Sequence, residues 1–314
     1  MLSIVIITRN TRELVGSLLA SIGADGTLIP ALQEVIVVDN GSTDGTDAMV
    51  AAGFPRVSYV RNPENRGFAA AANEGFRRSS GEIVLFLNSD TRLIAGETTK
   101  LLDLMRQDAS IGVAAPQLVY EDGRPQRSFA PIPCLAFELL PASVLALFST
   151  RFRTKGKGLA APSDVESLIG AALMVRRRVF DVTGGFDERF FFFLEETDLC
   201  LRASREGFRV VFLPASRLVH LQGKTVSQSW VRGRMEYAIS LYAFIGKYHS
   251  RTYCAAFTIV RLCKALMFLL PATVLPFVLF ERSVRRRYSY YAHLLLWHLK
   301  GRPADAGLRV SSPV

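Results

Sequence analysis

Five short polar stretches carry the side chains with chemistry to offer. Thr8-Arg9-Asn10 follows a β-branched run. Asp39 and Asn40 sit inside VVDNGSTDGT, and Asn65-Arg66-Gly67 leads into a helix-like segment that contains Asn73. Asn88-Ser89-Asp90 closes a fourth apolar run, and Glu195-Glu196-Thr197-Asp198 sets three acids within four positions. Asp39 is a carboxylate able to accept from a base N–H or a ribose hydroxyl. Arg66 stands where a cation can meet a diphosphate. Asp90 is a hard oxygen ligand of the kind that holds Mg²⁺ or Mn²⁺ through one or two carboxylates plus phosphates. Each stretch also has a bland reading. Asn, Asp, Gly and Ser build turns, Ser42 or Asp44 can cap the helix after its loop, and Glu195 and Glu196 complement a helix dipole. Four such groups in succession, each at the end of an apolar run, favour a ligand site over turn chemistry.

The elements that must position them follow from periodicity. Residues 2–8, 35–38, 57–60 and 83–87 are short apolar runs separated by helix-like segments, the first at about 11–22. This alternation describes an α/β domain whose open, doubly wound, mostly parallel sheet is buried on both faces. Such sheets bind ligands beyond the carboxyl ends of their strands, where the polar stretches fall. After about residue 120 the rhythm breaks into a proline-rich region with an apolar run, Leu135–Phe148, followed by Arg151, Arg153, Lys155 and Lys157. Beyond it, Ser167–Val175 reads as a strand, Glu195–Arg205 as a helix, Arg209–Phe212 as a strand, His220 as a strand end and Gln228–Tyr248 as a long helix. Phe191, Phe192 and Phe193 either wall a sugar site or fill a core.

Composition narrows the class. The 314 residues are 49% hydrophobic and 21% charged, enough for one substantial core with an appendage. Mean hydropathy is +0.22, with the excess concentrated after residue 250. A formal charge of +10 invites an acidic partner. Nucleic acid is the weakest choice, because the cations cluster beside apolar segments and no recognised module is present. Cys134, Cys200, Cys254 and Cys263 show no metal-binding spacing, which suits a reducing compartment. The opening strand has no basic and apolar leader before it, so the cytoplasm is the expected location. No G-x-G-x-x-G turn follows the first strand and no phosphate-binding P-loop exists. Residues 254–280 are the most apolar segment, interrupted by Arg261, Lys264, Pro271 and Pro276. Its uncharged part, 265–280, is 16 residues long, short of the roughly 20 that span a bilayer. Arg282 and Arg285–Arg287 follow as a cytoplasmic flank would. A buried hairpin, an interfacial contact and a crossing all stay open, with the interfacial contact favoured.

SIVIITRN, VVDNGSTDGT, NRGFAAAANEGF, LFLNSD, GAALMVRRRVFDVTGGFDERFF and LEETDLCLR, in this order over residues 2–225, resemble the family 2 glycosyltransferases. The likeness is to bacterial rhamnosyltransferase-type members that build cell-surface polysaccharides. The resemblance implies a GT-A catalytic domain over 1–225, with a nucleotide-sugar half to about 120 and an acceptor half beyond it. Residues 226–314 would form a helical, membrane-associating region. It implies an inverting displacement from a nucleotide-diphosphate-sugar, dTDP-L-rhamnose first, assisted by Mg²⁺ or Mn²⁺. The acceptor would be a glycan or a polyprenyl-diphosphate-linked glycan at the inner face of the cell membrane.

Residue by residue, Asp39 matches the contact to the nucleotide base. Thr8, Arg9, Asn10, Asn40, Asp44, Arg66, Gly67, Asn73, Asn88 and Ser89 join it on the donor side. Asp90 matches the last acid of the metal-holding Asp-x-Asp element, whose first acid is replaced by Asn88. Glu196 takes the place of the catalytic base, with Asp198 in reserve. Glu195 and Asp187 fall to the acceptor, although Glu195 or Asp198 can instead hold Arg202. His220 joins the metal or diphosphate, with Lys224 and Thr225 beside it. The competing reading is a catalytically degenerate scaffold or glycan-binding subunit. The enzymatic reading requires Asp39, Asp90 and Glu196 to converge.

Overall fold

The computed structural model describes residues 1–140, 144–145, 147, 159–221, 230–270 and 281–309. Arg151, Arg153, Lys155, Lys157, Lys224, Thr225, Gln228, Pro271 and Pro276 lie outside the described residues. The chain divides into two units. One comprises 1–132, 149–188 and 195–224; the other comprises 133–148, 189–194 and 225–314.

In the first unit the apolar runs become β1 (Leu2–Thr8), β2 (Leu32–Asp39), β3 (Ser58–Arg61) and β4 (Ile83–Asn88). They are mutually parallel in the order β3-β2-β1-β4. Between them run α1 (Arg12–Ala24), α2 (Thr46–Gly53) and α3 (Phe68–Arg78). Alternation along β1 sorts the two faces. Leu2, Ile4 and Ile6 share a core with Val15, Leu18, Leu19 and Ile22, the inward stripe of α1. On the other face α3 lies so close that a Cβ on Gly75 would fall 2.3 Å from Val5 Cγ1, a contact only glycine permits. Helices therefore cover both faces.

The second half of this sheet is mixed. A short β5 (Thr91–Leu93) and α4 (Glu97–Gln107) lead to β6 (Ile111–Val119). After β7 (Phe129–Ala130), α5 (Ala136–Leu139) and β8 (Ser163–Asp164), the stretch expected as one strand over Ser167–Val175 divides into β9 (Ser167–Leu168) and β10 (Ala172–Arg176). The backbone between them is drawn to other partners: Ile169 N–H donates to Ser128 O, and Ala171 O accepts from Asn88 N–H. β10 then inserts antiparallel between β4 and β6. α6 (Arg177–Thr183) and α7 (Glu195–Arg205) precede β11, which runs Arg209–His220 as one strand and ends, as expected, at His220. A register shift between Leu213 and Arg217 carries it past Pro214, which has no N–H for the ladder. β11 pairs parallel with β6 and antiparallel with β5. An aromatic cluster of Phe76, Phe86, Phe180 and Phe186 fills the α3 face.

The second unit is helical: α8 (Trp230–Tyr248), α9 (Arg251–Leu269) and α10 (Arg282–Leu299). Met235, Ala238, Ala265, Tyr290, Leu294 and Trp297 form its core. Two segments from earlier in the chain belong with it. Glu138 of α5 accepts from Arg261 (2.8 Å) and Lys264 (3.0 Å), and Phe190 packs on Phe244. Phe193 likewise meets Tyr237, so these two aromatics serve helical packing. α9 buries only Phe257, Arg261 and Ala265, one stripe at four-residue spacing. It is 19 residues long with mean hydropathy 1.5, the one described helix long and apolar enough, by length and composition, to cross a membrane.

Candidate functional site

The parallel register aligns the chemistry. Thr8 pairs with Asp39 and Ile7 with Asn88, so three strand ends lie side by side at about 5 Å spacings. Asp39 is fully buried. Its Oδ1 accepts from the backbone N–H and hydroxyl of Ser42, and its Oδ2 from the Tyr59 hydroxyl. Burial, together with the hydrogen bond and charge of Asp39, pushes the Tyr59 pKa upward, which keeps the phenol a donor. Asn40 donates to Gly67 O (2.9 Å) and accepts from Asn62 (3.0 Å). Gly41 has φ +73°, and a Cβ there would stand 3.2 Å from the Glu64 backbone, so the Asp39 loop needs glycine at this turn.

The loop after β1 is laced to the loop after β2. Asn10, at φ +51°, accepts from Thr43 N–H (2.8 Å), while its own N–H donates to Ser42 Oγ. Asp44 accepts from Arg12 N–H and from both Thr46 donors. Burial raises its pKa, but these hydrogen bonds outweigh it and hold the carboxyl below its ordinary value. Arg9 Nε is buried without a hydrogen-bond partner, and Arg66 is exposed. Thr8, Thr11 and Ser89 form a hydroxyl chain with contacts of 2.7 and 2.8 Å, which ties β1 to the turn carrying Asp90.

Asp90 and His220 are brought together by the pairing of β5 with β11: Thr91 is opposite His220, and Leu221 N–H donates to Asp90 O. Asp90 Oδ1 lies 3.5 Å from His220 Nε2. Gln126 orients the ring. Its Nε2 donates to the His220 carbonyl at 2.6 Å, so its Oε1 is the atom 3.0 Å from Nδ1, and Nδ1 carries the proton. The remaining ring nitrogen is thereby directed at a carboxylate oxygen, an arrangement that a cation between them completes. One oxygen and one imidazole nitrogen suit Mn²⁺ or Mg²⁺ when phosphates supply further ligands. Among the described residues no group of three or more His, Cys, Asp or Glu could hold an ion alone.

Glu196 is half-buried at the start of α7. A Cβ on Gly170 would stand 3.4 Å from its Cβ and Cγ, and the neighbouring Ala171 carbonyl is the one that accepts from Asn88 N–H. Glu196 therefore adjoins the β4 end. Asp198 is fully buried. Its Oδ2 accepts from Arg202 Nε at 2.7 Å, and Arg202 also donates to Thr183 O and Gly185 O. Of its two expected roles, holding Arg202 is the one the geometry displays.

Asn73, expected toward the donor, clamps the loop of Gly184 and Gly185 that leads to Phe186. It donates to Phe186 O (2.8 Å) and Glu188 Oε1 (3.0 Å) and accepts from Phe186 N–H (2.9 Å). The half-buried Asp187 follows on that loop, and Glu195 is buried. Phe193 and Leu194, just before Glu195, sit at φ +73° and +66°, a region that strains such residues by roughly 1–2 kcal/mol each. Tyr59, Asn62 and Gln126 escaped the sequence reading. Each looks locally like an ordinary strand or loop residue, and only the folded chain carries it to the site.

The sequence model for glycosyl transferase family 2 matches residues 3–184, more than half of the chain. The chain belongs to glycosyl transferase family 2. This glycosyltransferase is 28% identical over 235 residues to an N-acetylglucosaminyl-diphospho-decaprenol L-rhamnosyltransferase of Mycobacterium tuberculosis, covering 69% of this chain and 75% of that one. It is 28% identical over 203 residues to a dTDP-rhamnosyl transferase of Shigella flexneri, covering 62% and 64%. Among solved structures it resembles a mannosyltransferase of Pyrobaculum calidifontis in complex with GDP-Man and Mn²⁺. That likeness has a TM-score of 0.58 at 19% identity and covers 95% of this chain and 86% of that one. GalNAc-T7 with UDP, GalNAc and Mn²⁺ gives 0.55 at 17%, over 70% and 43%. Both establish the GT-A-like fold of the glycosyltransferase.

Proposed function

We propose that this glycosyltransferase moves a rhamnosyl group from dTDP-L-rhamnose to a glycan carried on a polyprenyl diphosphate, with inversion, at the cytoplasmic face of the membrane. The observation that carries the enzymatic reading is the single sheet edge that sets Asp39, the Asp90–His220 pair and Glu196 in sequence. Asp39, held by Ser42 and Tyr59, receives the nucleoside. Arg9, whose buried Nε has no partner in the protein, supplies a donor to the diphosphate. Asp90 and His220 would hold Mg²⁺ or Mn²⁺, which neutralises charge on the departing diphosphate. Glu196 accepts the proton of the acceptor hydroxyl as that oxygen bonds to the anomeric carbon and the carbon–oxygen bond to the diphosphate breaks.

Rhamnose and the lipid-linked acceptor are supported by the names of the Mycobacterium and Shigella relatives, and the membrane face by the exposed apolar residues of α9. Screening dTDP-rhamnose, UDP-sugars and GDP-sugars by thermal shift with and without Mn²⁺, then following transfer, checks the reading. The largest shift is expected with dTDP-rhamnose plus Mn²⁺. Preference for another donor would overturn the sugar. Absence of transfer with every donor, or transfer that survives both Asp90→Ala and Glu196→Gln, would favour the scaffold reading that Asn88 invites.

A further inference from the structure

The helical unit holds a cavity of its own, about 230 Å³ in volume, that shares no residue with the strand-end site. Its walls come from α5, α8, α9 and α10. Three cations face it, Arg234, Arg261 and Lys264, against one carboxylate, Glu138, so its lining carries 3 − 1 = +2. Arg261 is only 8% exposed. Its Nη1 donates to Glu138 and its Nη2 to the Tyr290 hydroxyl, both at 2.8 Å, but its Nε is shut off from solvent with no acceptor. A buried guanidinium with an unsatisfied donor is costly unless an acceptor completes it. The same helix turns outward just beyond: Leu266, Met267 and Leu270 are 42%, 74% and 75% exposed. A doubly charged cavity thus sits beside an uncovered apolar strip.

We propose that this cavity binds the diphosphate of a lipid-borne substrate, with the lipid chain lying along the exposed face of α9. The inference rests on the lipid-linked acceptor reading and deepens it by naming where the carrier is held. Charge chooses the diphosphate over a bulk phospholipid. A glycosyl diphospholipid carries two negative charges, matching the +2 lining, whereas a phosphodiester headgroup carries one. Beyond its bonds to Glu138 and Tyr290, the Arg261 guanidinium keeps N–H donors of the kind phosphate oxygens accept. Lys264, closest along α9 to the apolar strip, serves as a point charge where head and chain meet.

Flotation of the full-length protein with neutral phosphatidylcholine vesicles provides the test. One set carries undecaprenyl diphosphate, the other phosphatidylglycerol at matched charge. The wild type should bind the diphosphate vesicles about tenfold more tightly or better, and excess inorganic pyrophosphate should erase that advantage. Arg234→Gln combined with Lys264→Gln, both at side chains partly open to solvent, should abolish the preference while binding to phosphatidylglycerol persists. Equal binding of both vesicle types by the wild type, or an intact preference in the double variant, overturns the proposal. Failure of the acceptor reading shows separately, as no product on a lipid-linked glycan from wild-type enzyme and donor.

Discussion

The two units handle polar and apolar groups in opposite ways. In the sheet unit, carboxylates, amides and hydroxyls are buried at the strand ends and satisfied by backbone and side-chain donors, as around Asp39 and Asn73. In the helical unit, outside its core, many large apolar side chains face outward. Of twelve large apolar residues exposed among the described ones, nine belong to it, including Ile259, Met267, Leu270 and Leu299. An enzyme site needs its polar groups preorganised, whereas exposed apolar side chains in number are what an apolar partner would cover. The difference is the ground on which chemistry is proposed for one unit and docking for the other.

That division can be broken at several points. Glu196→Gln should lower transfer by about 10²–10⁴-fold while leaving the donor-induced thermal shift in place; a loss of tenfold or less would remove Glu196 as the base. Arg202→Met should destabilise the sheet unit by roughly 3–5 kcal/mol, because it takes the Arg202 guanidinium from the buried Asp198 carboxylate, and urea unfolding would measure it. Gln126→Ala frees the His220 ring and should weaken Mn²⁺ affinity about 10–100-fold, read by calorimetry in the presence of nucleoside diphosphate. In the helical unit, Met267→Lys with Leu270→Lys should reduce vesicle flotation several-fold by removing apolar contact; unchanged flotation would place this face against something other than lipid.

The smallest effect concerns Glu236, buried with Oε2 accepting from Leu308 N–H at 2.8 Å. Burial pushes its pKa up, against the pull of Leu308 and Arg309. The folded state thus holds the proton more tightly than the unfolded one. Its stabilising contribution is complete below the ordinary glutamic-acid pKa and fades as pH climbs through the raised value. Glu236→Gln should flatten that part of the curve of Tm against pH.

Much of the sheet unit was readable from residue order. The β-branched runs, the polar clusters that end them and the acid-rich start of α7 are local patterns, and backbone periodicity turns each directly into an element. A strand ending at His220 was readable, but the split of 167–175 into two strands and the continuity of β11 from Arg209 across Pro214 to His220 were not, because partners distant in sequence decide them. The same holds for Asn73. Its position within NRGFAAAANEGF suggested the donor, yet the packing of α3 against the glycine loop gives both ends of its amide to Phe186.

Residue types alone determined which groups could do chemistry here: a hard oxygen ligand at Asp90 and carboxylates able to accept at Asp39 and Glu196. Only the tertiary structure decided which of them meet. Register across β3, β2, β1 and β4, and the pairing of β11 with β6 and β5, are long-range choices set by core packing. Those choices carry His220 to Asp90, Gln126 to His220 and Tyr59 to Asp39.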